Sequence, residues 1–348
     1  MNHPKLALLL CAALLPLAAI AEDQWLVFEG KDGPGKGKHV VFLSGDEEYR
    51  SEEALPMLAK ILSQRHGFKC TVLFSLDKDG TINPNLHDSL PGAEALDTAD
   101  AVVMSLRFRS YPDDVMKHFD NAYMAGKAFI GLRTATHAFA GLKGPYAKYN
   151  WNNNGKEWPK GFGRQVLGET WVSHWGNHMH QATRGIIEES AKDDPILRGV
   201  SDIFGDTDVY EAHPPADAKI LVRGSVLVGM NHDDKPLEGK KNDPMQPIVW
   251  TRVVKNEAGK ENKALCTTMG AATDLQNEAL RRIIVNGVYW GVGLEVPAKA
   301  DVTIVDEYKP SAYRGDGYRF GMKPSDLALG KAMPALPTAS EAKKKKTP

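Results

Sequence analysis

The chain has 348 residues, 42% of them hydrophobic and 25% charged, enough for one large domain or two small ones around a well-buried core. Its 43 lysines and arginines balance 44 aspartates and glutamates to a formal net charge of −1, and no zinc-finger or other nucleic-acid motif is present, so there is no electrostatic case for a nucleic-acid partner. Apart from Cys11 in the leader, Cys70 and Cys266 lie in runs that read as buried strands and lack metal-motif spacing, and two free buried thiols are expected rather than a disulfide.

Residues 1–21 read as a secretory signal peptide, with Lys5 ahead of an apolar run from Leu6 to Ile20 and a small-residue cleavage site at Ala19-Ile20-Ala21. The run is shorter than the ~20 residues that span a bilayer and Pro16 interrupts it, so no stable membrane anchor is expected. Leu10 in front of Cys11 argues against a lipoprotein signal. The expected destination is export, to the periplasm or outside the cell.

After an N-terminal segment over residues 22–37, Lys38 to Leu43 is an apolar strand ending at Ser44-Gly45, followed by Asp46, Glu47, Glu48, Tyr49 and Arg50. Leu55, Leu58, Ala59 and Leu62 recur at the helical period until Gly67 stops them. Strands follow at Lys69 to Phe74 and at Ala101 to Leu106, the latter ending on Arg107-Phe108-Arg109, and a helix is expected over Asp113 to Ala125, closed by Gly126. Phe129 to Leu132 is the next strand; it delivers Arg133, Thr134, Thr136 and His137 at a sharp elbow, read as opening a helix. This alternation predicts an α/β, doubly wound, mostly parallel sheet. Ligands bind such sheets beyond the carboxyl ends of the strands. Asp46 to Arg50, Arg107 with Arg109, and Arg133 to His137 should therefore share one edge. Capping of the following helix by Thr134 or Thr136 is the plainer alternative.

Residues 141–182 change character, with Trp151, Asn152, Asn153, Asn154, Trp158, Trp171 and Trp175 and little periodicity, and read as a long insertion. Tryptophan and asparagine together suit a carbohydrate, which offers C–H faces and hydroxyls; a lid packing its own aromatics is the alternative. Inside the insertion His174, His178 and His180 come together. Neutral imidazoles bind zinc and similar divalent metals, and Asp46 or Glu48 could complete such a site; substrate-binding or structural histidines are the other readings. After Thr183 the chain is largely β, until Lys263 to Thr268 forms a further strand. That strand leads through Met269 to Asp274 into a helix over Asn277 to Trp290, with Thr268 and Asp274 as site candidates and helix capping by Thr273 or Asp274 as the alternative. The end of the chain, 311–348, reads as an extension with a disordered tail at Lys343 to Lys346.

Gly45-Asp46-Glu47-Glu48-Tyr49-Arg50, Gly131 to Phe139, Pro195 to Val200, Asp208-Val209-Tyr210 and Thr267 to Asp274 together resemble the trehalose-utilisation ThuA-like family, in particular its exported branch from environmental bacteria, over about residues 38 to 310. The resemblance implies a flavodoxin-like, class I glutamine amidotransferase-like sheet and a link to sugar utilisation, in some members through 3-keto sugars. The related amidotransferases carry a nucleophilic cysteine in a Gly-x-Cys elbow that here reads Gly131-Leu132-Arg133. Without a thiol beside a base, glutaminase chemistry is excluded. Many relatives also resemble Leu-Gly-His where this chain has Met269-Gly270-Ala271, and His-Pro-Ile where it has Asp194-Pro195-Ile196.

Two functions are consistent with this reading. The first is an enzyme acting on a sugar or 3-keto sugar or glycoside by acid–base, or metal-assisted, chemistry. In it His137, Asp46 or Glu48 serves as the base and Arg133 as the oxyanion partner, while Tyr49, Arg50, Arg107, Arg109, Thr134, Thr136, Trp175, Tyr210, Thr268 and Asp274 contact the small-molecule carbohydrate. The second is a carbohydrate- or metal-binding protein that kept the fold without catalysis.

Overall fold

Runs without polar alternation become strands covered on both faces. The computed structural model describes residues 24–314 and 317–336; the leader and the tail lysines lie outside the described residues. The strands are β1 (Trp25–Phe28), β2 (His39–Gly45), β3 (Lys69–Phe74), β4 (Ala101–Leu106), β5 (Ala128–Leu132), β6 (Ser173–His174), β7 (Thr183–Ile187), β8 (Ile203–Gly205), β9 (Tyr210–Glu211), β10 (Lys219–Val226), β11 (Gln246–Lys255) and β12 (Glu261–Thr267). The α-helices are α1 (Ser51–His66), α2 (Asp113–Met124) and α3 (Glu278–Gly291).

Ten strands form one sheet in the order β1-β3-β2-β4-β5-β12-β11-β10-β7-β8. Its centre, β3-β2-β4-β5-β12, is parallel. Taken alone these five strands run second, first, third, fourth, fifth in chain order, which is the flavodoxin-like order. The additional strands after Thr183 attach as an antiparallel wing, and β1 closes the opposite edge antiparallel to β3. Parallel register brings the carboxyl ends of β2, β4, β5 and β12 to one side, as the strand endings predict.

Alternate residues of the buried strands feed two apolar layers. Val40, Phe42, Val103 and Ile130 pack with Leu55, Leu58 and Leu62 of α1 and Ile283, Ile284 and Val288 of α3. Val41, Leu43, Met104 and Phe129 pack with Met116 and Phe119 of α2 and with Tyr149, Phe162, Val166 and Leu167 of the insertion. The insertion thus covers a sheet face beside α2. Gly131 makes this possible, since a Cβ there would meet Leu167 Cδ1 at 2.7 Å. Asn150 and Asn153 bond backbone groups of the same segment, and Trp158 packs on Tyr149 and Tyr123. For these residues the self-packing alternative holds.

Local signals ended the helices as expected: Gly67 caps α1 at φ 80. The elbow after β5 differs. Arg133–His137 is a five-residue 3₁₀ turn and no α-helix grows from it, so no helix N-terminus lies there to attract an anion. The cap of α3 is Asn277, whose side chain accepts from Leu280 N, rather than Thr273 or Asp274. Cys70 and Cys266 are free and buried. Among the described residues no helix is long and apolar enough to cross a membrane.

Candidate functional site

The polar clusters do converge beyond the strand ends, but most of their charge is committed to the protein itself. Asp46 is fully buried. Its Oδ1 accepts from the Glu48 and Tyr49 amides at 2.9 and 3.2 Å and its Oδ2 from Thr134 Oγ1 at 2.6 Å, so this carboxylate folds the loop after β2 and is not placed to act as a base. Glu47 pairs with Arg107 and Arg109. Arg109 and Arg50 do not reach a ligand: Arg109 is fully buried, donating also to the carbonyls of Arg107, Pro84 and Leu86, and Arg50 is fully buried against the carbonyls of Glu47 and Arg314 and the Glu52 carboxylate.

Arg133 occupies the elbow at φ 46, a left-handed conformation rare outside glycine and a mark of local strain. Its side chain is fully buried, not open to an oxyanion. One Nη donates to the carbonyls of Asp208 and Thr268 at 2.7 and 2.8 Å, and the other to Asp208 Oδ1 at 2.8 Å and Tyr49 Oη at 3.1 Å. The guanidinium lies between the Tyr210 and Tyr49 rings, 3.7 and 4.6 Å from their centroids. Burial pushes the Tyr49 hydroxyl up to about 12, so it stays protonated. Thr268 contributes its carbonyl, while its hydroxyl is buried without a partner among the described residues. Asp274 accepts from Thr207 and from the Gly270 and Ala271 amides. It organises its own turn.

His137 is 3% exposed, its Nδ1 3.0 Å from Thr136 Oγ1. Burial, then the charges of Arg107, Arg133 and His174, hold it well below the usual imidazole range. His137, expected as a candidate base, thus sits desolvated at the elbow. His137 is neutral and walled by Phe108 and Trp171, at ring-centroid distances of 5.0 and 5.2 Å.

The histidine cluster is also recomposed. His180 is exposed and takes no part, and the carboxylate that joins the cluster is Asp208 rather than Asp46 or Glu48. His174 Nδ1 lies 2.7 Å from Asp208 Oδ2 and His178 Nδ1 3.0 Å from Oδ1, with one ligand atom from each of the three residues within 4.8 Å of the others. Burial alone would raise the Asp208 carboxyl, but Arg133 and the two histidines outweigh it and keep it ionised, well below the usual carboxylate range. Trp175 is turned elsewhere, its indole N–H donating to the Lys241 carbonyl at 2.8 Å.

The part-exposed side chains, with buried His137 between two of them, form a closed run of contacts. Arg107 lies over Phe108 at 4.6 Å, and Phe108 contacts His137. From His137 the contacts continue through Trp171 to His174, His178 and Tyr313, with centroid separations of 4.9, 4.4 and 4.5 Å after Trp171. Tyr313 faces Glu48, and Glu48 Oε2 returns to Arg107 Nε at 3.0 Å. The Glu48 side chain is 20% exposed. Burial raises its pKa above the usual carboxylate value against the pull of Arg107, with Asp46 and Glu47 adding to the rise. Beside the ring, Tyr49, His178, Tyr313, Asp206 and Thr273 line a pocket of about 140 Å³.

Several of these residues, Phe108 among them, escaped the sequence reading as site candidates. Asp208 stood only in an Asp-Val-Tyr motif and Trp171 among several insertion tryptophans; Glu47 lay between two chosen carboxylates. Tyr313 comes from the extension past residue 310 and had no local signal.

With the geometry established, comparison places the chain among known proteins. It is similar to a ThuA-like protein from Parabacteroides merdae, at 14% identity over 80% of this chain and 98% of that one, TM-score 0.49. It is similar also to one from Bacteroides uniformis, at 15% identity over 75% and 92%, TM-score 0.46. No curated protein matches the sequence. The family model ThuA, described as trehalose utilisation, matches residues 39–291, and the chain therefore belongs to the ThuA family, with a role in carbohydrate utilisation.

Proposed function

We propose that this protein is an exported enzyme that processes a sugar or 3-keto sugar or glycoside by proton transfer next to a carbonyl, with Glu48 as the acid–base group. The observation that carries the reading is this run of contacts: the aromatic rings of Phe108, Trp171 and Tyr313 lie among a carboxylate, a guanidinium and imidazoles beyond the strand ends. A pyranose presents the complementary surface, C–H faces for the aromatics and oxygens for the polar groups. Glu48 suits the proton because burial moves its pKa toward neutral pH while it keeps an exposed edge. In the step, a C–H proton passes to the Glu48 carboxylate and the electron pair delocalises toward the adjacent carbonyl oxygen. Arg107, already bound to Glu48, fixes the carboxylate's orientation.

The test incubates the protein in deuterated water with native and 3-oxidised disaccharides and follows deuterium uptake and product mass. Deuterium at the carbon next to the carbonyl, lost in Glu48→Gln, is the expected result. Saturable sugar binding without exchange or turnover overturns the enzyme and leaves a carbohydrate-binding protein.

A further inference from the structure

We propose that His174 and His178 form a divalent transition-metal site of the zinc class through their Nε2 atoms, with Asp208 holding both rings from behind; the inference deepens the site reading above. Both Nδ1 atoms point to one carboxylate, at 2.7 and 3.0 Å, and the ring centroids are 4.4 Å apart with planes tilted by 33°. Donation of each Nδ1–H to Asp208 fixes the tautomer and leaves an Nε2 lone pair on each ring. Neither Nε2 has a hydrogen-bond partner among the described residues. Two adjacent imidazoles pinned through Nδ1 by a carboxylate are the arrangement in which histidine binds zinc and its neighbours.

The same contacts decide against Asp208 as a direct ligand. Arg133, permanently charged and fully buried, already donates to Asp208 Oδ1 at 2.8 Å and to its carbonyl at 2.7 Å. A cation on that carboxylate would face the guanidinium across it in a poorly screened interior. The side chains are part-exposed, 36% for His174 and 24% for His178, so a metal held by two imidazoles would have coordination positions for water or for two oxygens of a sugar. A metal there would polarise a bound carbonyl.

The experiment dialyses the full chain free of metal, titrates it with Zn²⁺ and Co²⁺ by calorimetry and counts bound metal by elemental analysis. One equivalent is expected, with His174→Ala and His178→Ala each abolishing it and His180→Ala leaving it unchanged. Asp208→Asn should keep the stoichiometry but weaken binding about 10- to 100-fold, as loss of an outer-shell partner does. Should Asp208→Asn fail to fold, the visible spectrum of bound Co²⁺ in the native chain reports imidazole ligation and its loss in the two histidine variants. Absence of saturable binding in the folded chain, or one equivalent retained when both histidines are alanine, overturns the site. Metal bound without sugar turnover keeps this inference and discards the enzyme; turnover by metal-free protein that takes up no metal does the reverse.

Discussion

Two sets of polar residues meet at the same sheet edge and differ in what their polar atoms have left to do. In the frame, Asp46, Glu47, Arg109, Arg133 and Asp274 are buried and engaged by other protein groups. In the ring, Glu48, Arg107, His174 and His178 keep part of each side chain open, at 20 to 36% exposure. Charge at a strand end therefore has two uses here. Where donors and acceptors are taken up by protein partners, as all but the Nε of Arg133 are in the frame, charge holds loops in place, and where one is left over it is available to a ligand.

The sharpest way to break this division is Arg133→Met. If Arg133 belongs to the frame, the change leaves Asp208 charged and buried, and urea unfolding should show a loss of about 3–5 kcal/mol. Adding Asp208→Asn should restore part of that loss. A variant as stable as the native chain, yet inactive, would move Arg133 back to the ring as an oxyanion partner.

Glu48→Gln tests the other side. Its turnover should fall by ~10²–10⁴, while stability should change by less than about 1 kcal/mol, because the pair with Arg107 is partly screened. A large loss of stability with turnover retained would put Glu48 in the frame and leave the ring without its acid–base group.

His137 sits at the boundary, and pH sharpens its assignment. Its native pKa is held well below 6.5 by burial, then by Arg107, Arg133 and His174. As pH falls through ~6.5 the unfolded chain takes up a proton that the native chain refuses, so this group's contribution, complete above that pH, declines by up to about 1.4 kcal/mol per unit. Glu52, raised to about 7, and Asp206, raised to about 6, act with the opposite sign over part of the same range, stabilising less as pH rises. The readout is therefore the difference between the native chain and His137→Asn. The native chain's advantage should shrink between pH 7 and 5.5; parallel curves would mean that His137 gains its proton while folded.

The sheet was largely legible because its signals are local. Lys69 to Phe74 and Ala101 to Leu106 appear residue for residue as β3 and β4, since a strand buried on both faces is a bounded apolar run. The sheet edge was legible for the same reason, as clusters directly following strands must share it. Which cluster members stay free was not. Saturation depends on partners far away in the chain: Arg133 meets Asp208 75 residues on, and Arg50 meets the Arg314 carbonyl 264 residues on. Nothing near Arg133 distinguishes it from a ligand-binding arginine until Asp208, Tyr49 and Tyr210 are in place. His180 and His178 look alike in sequence, and only the position of one carboxylate separates them.

The smallest effect contrasts two tryptophans of one insertion. Trp171 contacts His137, His174 and Tyr210, with centroid distances of 5.2, 4.9 and 4.6 Å, and belongs to the ring. Trp175 packs against the other apolar layer and donates to the Lys241 carbonyl. Removing the indole donor in Trp175→Phe should cost about 1 kcal/mol of stability. Because that indole is turned to the Lys241 carbonyl and not to the ring, sugar affinity by calorimetry should stay within about twofold, under 0.5 kcal/mol. Trp171→Ala should weaken the same affinity about tenfold, the equivalent of ~1.4 kcal/mol and within the range of one aromatic face contact. Equal losses from both would mean that the insertion acts as a whole, by closing over the edge. A loss only at Trp175 would place the sugar on the antiparallel wing and empty the ring of its ligand.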